Sequence, residues 1–550
     1  MVQENFRQLS INALRVGNFK AFSNTQYIPI RPLTLIYGGN SSGKSSILHS
    51  LLFAHHVINN DGELDVYRTE AGGDSVDLGG FGQYVHRRDR SSFVEWAVDI
   101  NAQILNTEIL HKVEQFTVGV TLGLGIENKD IKVRSFFLKA DGHTIADMSA
   151  RRDGLLRLDR LDIQHPIVRR IIDEIMQVTN LDTRENVEAI INKEVVPETV
   201  AKLAHLFPRK IESVEEKPSS KFDSTIISSR LNPIIGEVVR AIENDVRRLR
   251  YLGPLRTYPP RHFAFSRQQD ENWYSGGGYA WDLLLANSEV RQKVNNWLGS
   301  EDRMKTPYEL IVRNLLSDRY LVKKLDSFIS QSFEESAQGL IGYFADGDVY
   351  EKYQELENLF WSDSSADIEE LMSQLIDVDT VSEKWVKEMV SEGESISDLI
   401  LIDKRTQTSV THRDVGVGVS QVIPILVYCY GLSNGLIAIE QPEIHLHPKL
   451  QAELGDVFIE SALGDQKNCF ILETHSEHLL LRIMRRMRDT FYEKLPQGVP
   501  PVKPEDISLL FVNPDEDGSI VMEMPLNKKG ELKKSWPGGF FEEGLEEVFG

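Results

Sequence analysis

One octapeptide, GGNSSGKS at residues 38–45, constrains the fold more than any other stretch of the sequence. It follows the apolar run LTLIY and precedes a segment with helical apolar periodicity that begins near Lys44. The pattern G-x-x-x-x-G-K-[ST] between a strand and a helix is typical of a phosphate loop, because its glycines let backbone N–H groups turn towards phosphate oxygens. The sequence therefore predicts a strand–loop–helix unit that binds a nucleoside triphosphate.

The candidate residues of this loop are contiguous. Lys44 is expected to reach the β- and γ-phosphates, and the Ser45 hydroxyl is expected to bind Mg²⁺. The rest of the loop is expected to enclose the phosphates, and its residues are Gly38, Gly39, Asn40, Ser41, Ser42, Gly43 and Ser46. The cofactors that the motif predicts are ATP and Mg²⁺.

Two apolar segments near the C-terminus predict strands that end in reactive groups. The run LIAIE at 436–440 predicts a strand whose last residue, Glu440, holds Mg²⁺ through water. The run CFILETHS at 469–476 predicts a neighbouring strand that ends beside His475. This histidine can contact a γ-phosphate and orient water, or it is a capping or surface residue.

The segment RDVGVGVSQVIPIL at 413–426 predicts an apolar helix with Ser420 at its N-cap position. Gly416 and Gly418 line the start of that helix, and a helix N-terminus attracts anions. Because the segment is remote from the phosphate loop in sequence, we expect it to serve the nucleotide of a second subunit.

Together these elements resemble the ABC-type ATPase head of the OLD/RecF/SMC kind. The resemblance rests on GNFKAF, GGNSSGKSS, GVGVSQ, EQPEIHLHP and ETHSEH, within roughly 1–130 and 396–490. The C-terminal SWPGGFFEE at 535–543 is similar to the W-P-x-G-F-F element of prokaryotic ATPases that include the ATPase subunits of Septu and Septu-like retron antiphage systems. The resemblance implies an α/β fold, in which a mixed sheet is combined with an antiparallel β subdomain and helical insertions.

The resemblance also implies roles for individual residues. Glu440 would be the Walker B carboxylate, and His475 would be the switch histidine. Ser420 with Gly418 would form the signature contact across a head-to-head dimer. Gln83 is a further candidate for contact with the nucleotide.

The sequence departs from this family at Gln441, where many relatives have a glutamate that helps to activate the attacking water. A glutamine cannot take a proton at neutral pH, so hydrolysis is expected to be slow unless Glu443 or His475 supplies the base. The chain could be a working ATPase, a slow one or a nucleotide-gated clamp. We predict the clamp.

The phosphate loop and the Walker B strand are separated by about 400 residues, which is far more than a simple crossover connection needs. We therefore predict one ATPase head built from both ends of the chain. Its N-lobe with a β meander would be 1–164, followed by a helical insert at 165–250 and a return strand and loop at 251–279. A second helical insert would be 280–395, and the C-lobe with its terminal hairpin would be 396–550.

Charge and cysteine content limit the partners and the compartment. The net charge is −22, from 83 acidic and 61 basic residues, which argues against a broad nucleic-acid-binding surface. Two arginine groups could form a local basic groove or a solvated helix face: Arg247, Arg248 and Arg250, and Arg482, Arg485, Arg486 and Arg488. Two cysteines within apolar runs and the lack of a signal-peptide pattern favour a reduced, cytoplasmic protein without a membrane span.

Two short acidic or histidine-containing stretches invite a metal interpretation. His445 and His447 in HLHP could bind a metal or form a subunit contact, and we favour the contact. Asp515 and Asp517 could form a metal pair or lie in a hairpin turn between β-rich runs, and we favour the hairpin. No H-N-H constellation is present, and the segment after His475 is too short for a Toprim-type nuclease domain.

The sequence is consistent with two functions. The first is an ATP-binding regulatory subunit that assembles with a separate HNH-type nuclease, with or without a retron reverse transcriptase and its RNA/DNA. The second is a RecF-like DNA-binding ATPase that acts in DNA repair or end processing. The acidic net charge and the missing coiled-coil arms count against the second function.

Overall fold

A computed structural model describes most of the chain outside its central region. The described residues are 9–60, 62–105, 113–125, 130–179, 191, 196, 199–203, 205–213, 224–256, 272–301, 303–315, 396–410 and 415–541. The chain divides into two compact units, one of Met1–Pro259, Gln268–Glu309 and Asp403–Gly550, the other of Pro260–Arg267 and Leu310–Ile402. Of the helical insert predicted at 280–395, the part beyond residue 315 lies outside the described residues.

The larger unit contains a nine-stranded antiparallel sheet in the order β10-β9-β8-β7-β6-β5-β4-β1-β2. Its strands differ in burial: β4 is buried over most of its length, whereas in β6 buried residues recur at every second or third position. The strands are β1 Ile11–Gly17, β2 Gln26–Pro29, β4 Val94–Asn101, β5 Gln115–Leu124, β6 Ile131–Ala140, β7 His143–Ala150, β8 Leu156–Leu161, β9 Thr199–Leu203 and β10 Pro208–Ser213. The consecutive pairing of β4 to β8 confirms the predicted antiparallel meander.

The region 165–250 differs from the all-helical insert that the sequence predicts. It contains helices α3, Pro166–Thr179, and α4, Ser224–Arg247, but β9 and β10 lie between them. The short hairpin pairs with β8 and extends the antiparallel sheet. The edge of β8 would otherwise leave backbone N–H and C=O groups without partners, so its pairing decides the conformation of these short segments.

The phosphate loop and the Walker B strand lie in one six-stranded sheet, in the order β11-β15-β16-β3-β17-β18. The first five strands are parallel, and β18 forms an antiparallel hairpin with β17. They are β3 Leu33–Gly38, β11 Leu249–Leu252, β15 Leu436–Glu440, β16 Cys469–Glu473, β17 Ile507–Asp515 and β18 Gly518–Glu523. Strands β3, β15 and β16 are buried along their whole length, as strands covered on both faces must be.

This sheet confirms that the two ends of the chain build one head. The N-terminal strand β3 lies between β16 and β17, which come from the C-terminal region. Because the strands are parallel, the carboxyl ends of β3, β15 and β16 meet at one edge of the sheet. The predicted fold class, α/β with a mixed sheet and an antiparallel β subdomain, is confirmed.

The remaining helices and strands complete the description. The helices are α1 Ser45–Asn59, α2 Phe81–Tyr84, α5 Gly278–Ala286, α6 Ser288–Gly299, α7 Val417–Gly431, α8 Pro448–Leu463 and α9 Glu477–Phe491. A separate three-stranded sheet has the order β12-β13-β14, with β12 Tyr308–Leu315, β13 Ile396–Asp403 and β14 Thr408–Val410. None of the helices in the described part of the chain is both long and apolar enough to cross a membrane.

Arginines of both groups form contacts within the chain, while Arg485 and Arg488 of α9 are exposed. On α9, Arg482 and Arg486 pair with Asp456 of α8 at 2.5 and 2.7 Å. In the other group, Arg247 donates to Asn59 of α1, and its neighbours bond within their own segment. The arrangement favours a structural role over a basic groove.

The segment around residues 512–519 forms the predicted β-hairpin. Asp515 lies opposite Gly518 in the β17–β18 register, and Asp517 forms an exposed ion pair with Arg87 at 3.2 Å. No group of three or more His, Cys, Asp or Glu side chains among the described residues could hold a metal ion. The register of β17 and β18 confirms the predicted hairpin.

Candidate functional site

The phosphate loop connects the end of β3 to the start of α1, and two of its glycines are required by the fold. Gly38 and Gly43 have φ angles of 148° and 94°, which L side chains rarely adopt. A Cβ on Gly38 would lie 2.5 Å from the Val512 carbonyl oxygen, and one on Gly43 would lie 2.3 Å from the Cβ of Ala21. The loop can therefore pass this close to β17 and to the β1–β2 connection only with glycine at both positions.

Burial separates the tip of the loop from its base. Gly39, Asn40 and Ser41 are exposed, Gly43 and Ser45 are half-buried, and Ser42, Lys44 and Ser46 are buried. Lys44 donates from Nζ to the carbonyl oxygens of Gly38 and Gly39, at 3.2 and 2.8 Å. Burial lowers the pKa of Lys44, although the carboxylates of the site oppose this shift. The lysine thus lies within the curve of the loop, where the motif predicts it.

Glu440 ends strand β15, and two neighbouring side chains lie next to its carboxyl group. The Tyr251 hydroxyl donates to its Oε1 atom at 2.8 Å, and His49 Nε2 of α1 lies 3.8 Å from the same oxygen. Burial raises the pKa of Glu440 to about 7, and the nearby Glu473 adds to the rise. The ionised form of this carboxyl group is therefore disfavoured, and a bound cation would stabilise it.

Glu473, the last residue of β16, is a member of the site that the sequence analysis did not single out. Its Oε1 atom lies 4.0 Å from Lys44 Nζ, and β15 and β16 place it directly beside Glu440. Burial raises the pKa of Glu473, and a hydrogen bond from the Ser45 hydroxyl opposes the rise. The signal in the sequence was a carboxylate at the end of an apolar strand, in the same position that drew attention to Glu440.

A half-buried lysine–histidine pair lies beside the site, with the histidine on α1. Lys20, in the GNFKAF stretch, lies with its Nζ atom 2.7 Å from His49 Nδ1. Burial lowers the pKa of Lys20 to about 8 and that of His49 to about 3, so the histidine is neutral. Both residues were missed from sequence, since GNFKAF gave a resemblance without roles for its side chains.

Gln441 has a left-handed backbone, with φ of 45°. Its N–H donates to the Glu473 carbonyl oxygen at 2.7 Å, and its own carbonyl accepts from Arg256 Nη2 at 3.2 Å. A non-glycine residue adopts this conformation only where its surroundings hold it. Hydrogen bonds on both sides of Gln441 therefore fix the turn that follows the Walker B strand.

Glu443 connects this turn to the segment that follows β16. Its two carboxylate oxygens accept from the Thr474 hydroxyl at 2.7 Å and from the His475 N–H at 2.6 Å. Burial raises the pKa of Glu443, and these hydrogen bonds partly oppose the rise. Glu443 thus orients the backbone at His475 as well as lying in the site.

His475 is half-buried, and both burial and the charge of Lys44 lower its pKa. Its imidazole is therefore neutral and near the phosphate loop. The capping alternative for this residue is wrong, because Ser476 is the N-cap of α9 and accepts from the Leu479 N–H at 3.1 Å. The structure brings His475 together with Lys44, Glu440, Gln441 and Glu443, as the sequence predicts.

The predicted N-cap at Ser420 is wrong. Helix α7 begins at Val417 with Gly416 as its N-cap, so Ser420 lies one turn inside the helix and is only 3% exposed. A Cβ on Gly418 would lie 2.9 Å from the His445 carbonyl oxygen, which gives this glycine a packing role within the chain. Gly416 is exposed at the helix start. The alternating glycines therefore reflect packing as well as an accessible helix end.

Three further candidates, Gln83, His445 and His447, form no hydrogen bond with the phosphate loop within the described residues. Gln83 is exposed on α2, and no hydrogen bond of the described chain joins its side chain to the loop. His447 is the N-cap of α8, where its Nδ1 accepts from the Lys449 N–H at 3.3 Å, and His445 is exposed with φ of 60°. His447 thus has a structural function.

The site has the donors that ATP with Mg²⁺ requires. The loop curves around Lys44 at the N-terminus of α1, and α1 has no side-chain cap. Ser42 Oγ and Glu473 Oε2 are buried and have no hydrogen-bond partner within the described residues. Ser45 and Glu440 offer a hydroxyl and a carboxylate, which are the hard oxygen ligands that Mg²⁺ prefers. When bound, Mg²⁺ would neutralise phosphate charge and polarise the phosphoryl group.

Comparison with known families locates an ATPase domain in this chain. A family described as an AAA ATPase domain matches residues 300–480, which include α7, β15 and β16. A family described as a protein of unknown function, DUF3696, matches residues 502–549, which include β17, β18 and the W-P-G-G-F-F tail. No curated protein matches the chain significantly.

Several solved SMC head domains align with the chain over nearly its full length. The SmcHead bound to the C-winged helix domain of ScpA is 10% identical, with a TM-score of 0.33, and the alignment covers 94% of this chain and 98% of that one. An Smc head from Pyrococcus furiosus with an extended coiled coil, bound to the C-terminal domain of ScpA, is 11% identical, with a TM-score of 0.33 and 98% coverage of both chains. The SMC head domain from Thermotoga maritima is 9% identical, with a TM-score of 0.32 and coverages of 94% and 100%. TM-scores this low do not by themselves define a common fold.

The family match and the geometry of the loop agree. Lys44 and Ser45 lie in a phosphate loop, and the matched ATPase domain supplies Glu440 and His475 at the same edge of the sheet. The chain is an ATP-binding protein with an ATPase domain.

Proposed function

We propose that this chain is the ATP-binding, slowly hydrolysing regulatory subunit of an antiphage defence complex, which assembles with and controls a separate HNH-type nuclease. The observation that carries the proposal is Gln441, which occupies the position after the Walker B carboxylate and is held there by backbone hydrogen bonds. The W-P-G-G-F-F tail supports the defence context through its resemblance to the ATPase subunits of Septu and Septu-like retron systems.

Slow hydrolysis follows from the groups available as a base. Gln441 can position water but cannot take its proton, and loss of a general base typically costs about 10²–10⁴ in rate. Glu440 is assigned to Mg²⁺, and both oxygens of Glu443 already accept hydrogen bonds. The neutral imidazole of His475 and the buried Glu473, whose Oε2 atom has no hydrogen-bond partner within the described residues, are left as groups that can accept a proton near the phosphate loop.

Slow turnover suits a clamp better than a motor. We propose that two heads bind face to face, with the exposed Gly416 end of α7 against the nucleotide of the other subunit. Long-lived ATP would keep this dimer closed and would hold the bound nuclease inactive until the nucleotide is lost. A retron reverse transcriptase with its RNA/DNA is a further partner in the retron form of such systems.

The decisive experiment is Gln441→Glu, assayed for ATP turnover and, with the nuclease, for DNA cleavage. We expect faster hydrolysis and loosened control of the nuclease, because a carboxylate restores a proton acceptor beside the attacking water. Gln103→Glu, an exposed substitution remote from the loop in sequence, is the matched control and should leave turnover unchanged. A wild type that turns over many ATP per second, or an unchanged rate in Gln441→Glu, would refute the clamp.

Light scattering with and without ATP tests the dimer. A strictly monomeric species in the presence of ATP would contradict the head-to-head arrangement. Salt-dependent DNA binding by the purified chain alone would favour a RecF-like function instead, because such binding rests on phosphate neutralisation.

A further inference from the structure

A buried arginine joins helix α7 to the turn after the Walker B strand. Arg256 follows β11 and is 5% exposed. Its Nη2 atom donates to the carbonyl oxygens of Glu440 and Gln441, at 3.1 and 3.2 Å. Its own carbonyl oxygen accepts from Gln421 Nε2, in the second turn of α7, at 3.2 Å. One residue therefore contacts both elements.

The buried position of this guanidinium lowers the stability of the fold. Burial lowers the pKa of Arg256 to about 10, so the group is still charged at neutral pH. Its Nε and Nη1 atoms are buried and have no hydrogen-bond partner within the described part of the chain. A buried charge with unsatisfied donors destabilises a fold, and such groups concentrate where function requires them. Packing alone would be served better by an apolar side chain.

The conformation of Gln441 shows what the arginine does. Its left-handed backbone is disfavoured for a residue with a Cβ atom. The Glu473 carbonyl holds the N–H of Gln441, and Arg256 holds its carbonyl, so the peptide units on both sides have a set orientation. The direction in which the Gln441 side chain leaves the backbone depends on that orientation.

We propose that Arg256 is a positioning residue for ATP hydrolysis, which sets the turn at Glu440 and Gln441 and links it through Gln421 to the start of α7. The inference rests on the proposed hydrolysis at this turn. In the proposed dimer, the start of α7 faces the nucleotide of the other subunit. A shift of α7 on dimer closure would therefore reach the catalytic turn of its own subunit through Gln421 and Arg256.

The test compares Arg256→Lys and Arg256→Gln with wild type in the full-length protein. Single-turnover hydrolysis of radiolabelled ATP gives the rate, and titration with a fluorescent ATP analogue gives the affinity. We expect the rate to fall by about 10–100-fold, as misplacement of a catalytic turn does. We expect the dissociation constant to stay within about 3-fold, because the phosphate loop is untouched. Lysine keeps the charge, but its Nζ atom lies one bond closer to the backbone than Nη2 of arginine, so it should not reach both carbonyl oxygens and should not restore the rate.

A control variant and a second test variant separate positioning from general structural damage. Arg250→Gln removes a partly exposed arginine on β11 and should leave the rate unchanged. Gln421→Met removes the bond to the Arg256 carbonyl and should slow hydrolysis without loss of ATP affinity. If both residues act through one turn, the double variant with Arg256→Lys should be less impaired than the product of the two single effects.

The outcomes distinguish this inference from the proposed function. Wild-type hydrolysis by Arg256→Lys, or equal losses of rate and affinity, would overturn the positioning role. Undiminished ATP binding by Lys44→Ala would overturn the ATP site itself, whatever the arginine variants do. If Arg256→Gln fails to fold, as judged by thermal unfolding, Arg256→Lys and Gln421→Met decide the question.

Discussion

The phosphate loop and the ends of strands β15 and β16 lie at the same edge of the six-stranded sheet, but their contacts have very different spans in sequence. Lys44 bonds to carbonyl oxygens five and six residues away. Tyr251 reaches Glu440 across 189 residues, and Glu443 reaches His475 across 32. The loop is a local structure that a motif can specify, whereas the edge at β15 and β16 forms only when distant segments pack together.

This difference explains which group of residues can be changed with a predictable result. In the loop, Gly38 and Gly43 are required by backbone geometry, and Lys44 is expected to contact phosphate. At the ends of β15 and β16, Glu440 and Glu473 share burial, charge and hydrogen-bond donors. A change there alters several groups at once, so single variants measure a network.

The largest effect should come from the local region. Lys44→Ala should lower ATP turnover by about 10³-fold or more, because backbone amides alone cannot neutralise the phosphate charge. Radiolabelled ATP hydrolysis and calorimetric ATP binding measure the effect. Lys449→Ala, which changes an exposed lysine at the start of α8, is the control. Undiminished nucleotide binding in Lys44→Ala would show that a change in the loop is no more predictable than a change at the ends of β15 and β16.

The second prediction compares the two strand-end carboxylates. Glu440→Gln should reduce turnover by about 10²-fold and raise the Mg²⁺ concentration needed for activity, because it removes an assigned metal carboxylate. Glu473→Gln should cost about 10-fold, since Glu473 acts through its contacts with Lys44 and Ser45. Hydrolysis measured across a Mg²⁺ titration tests both variants, with the exposed Glu516→Gln as control. The reverse order would make Glu473 the principal metal carboxylate.

The third prediction concerns the tail, which touches the strand that carries the phosphate loop. Trp536 packs on Tyr37 and Phe511, with ring centroids 5.6 and 5.7 Å away, and the Tyr37 hydroxyl donates to the Ser476 carbonyl oxygen at 3.0 Å. Trp536→Ala should lower the free energy of unfolding by about 2 kcal/mol, because it leaves a cavity under the tail. Urea denaturation measures this loss.

The tail also bears on how independent the two regions are. Because Tyr37 directly precedes Gly38 and contacts the segment after β16, Trp536→Ala should weaken ATP affinity as well as stability. Tyr492→Ala, at a half-exposed aromatic residue of the C-terminal end of α9, should do neither. Normal ATP affinity in a clearly destabilised Trp536→Ala would mean that the tail only stabilises the sheet.

The smallest effect concerns the helices that follow the two strands. Burial alone would raise the pKa of Asp456, but the hydrogen bonds and charges of Arg486 and Arg482 lower it below its ordinary value. A carboxyl group with a lowered pKa in the folded state contributes stability above its unfolded pKa, about 3.9. That contribution is lost as the pH falls through the lower pKa of the folded state.

Denaturation at pH 6 and at pH 3 tests this linkage. Asp456→Asn should flatten the loss of stability on acidification, whereas the exposed Asp465→Asn should leave it as in wild type. An unchanged pH dependence in Asp456→Asn would mean that the ion pairs between α8 and α9 do not stabilise the edge at β15 and β16 in this range.

Much of the site could be predicted from local pattern. The loop at 38–45, the strand ends at Glu440 and His475 and the hairpin at 512–519 all follow from short motifs with clear flanking periodicity. The errors also arose from reliance on local pattern. The N-cap was placed at Ser420 because serine is a common cap, but the backbone enters the helix at Val417. The strands β9 and β10 were missed because β8, with which β9 pairs, lies about 40 residues earlier, and β10 in turn pairs with β9.

What the sequence alone determined is therefore the phosphate loop, the Walker B strand and the α/β class, because each depends on residues within a few positions of one another. Only the tertiary structure decided that Glu473, Tyr251 and Arg256 join Glu440, because parallel strands bring their carboxyl ends together whatever their separation along the chain. It also decided the backbone of Gln441, since no local pattern predicts a left-handed glutamine that two distant residues hold in place.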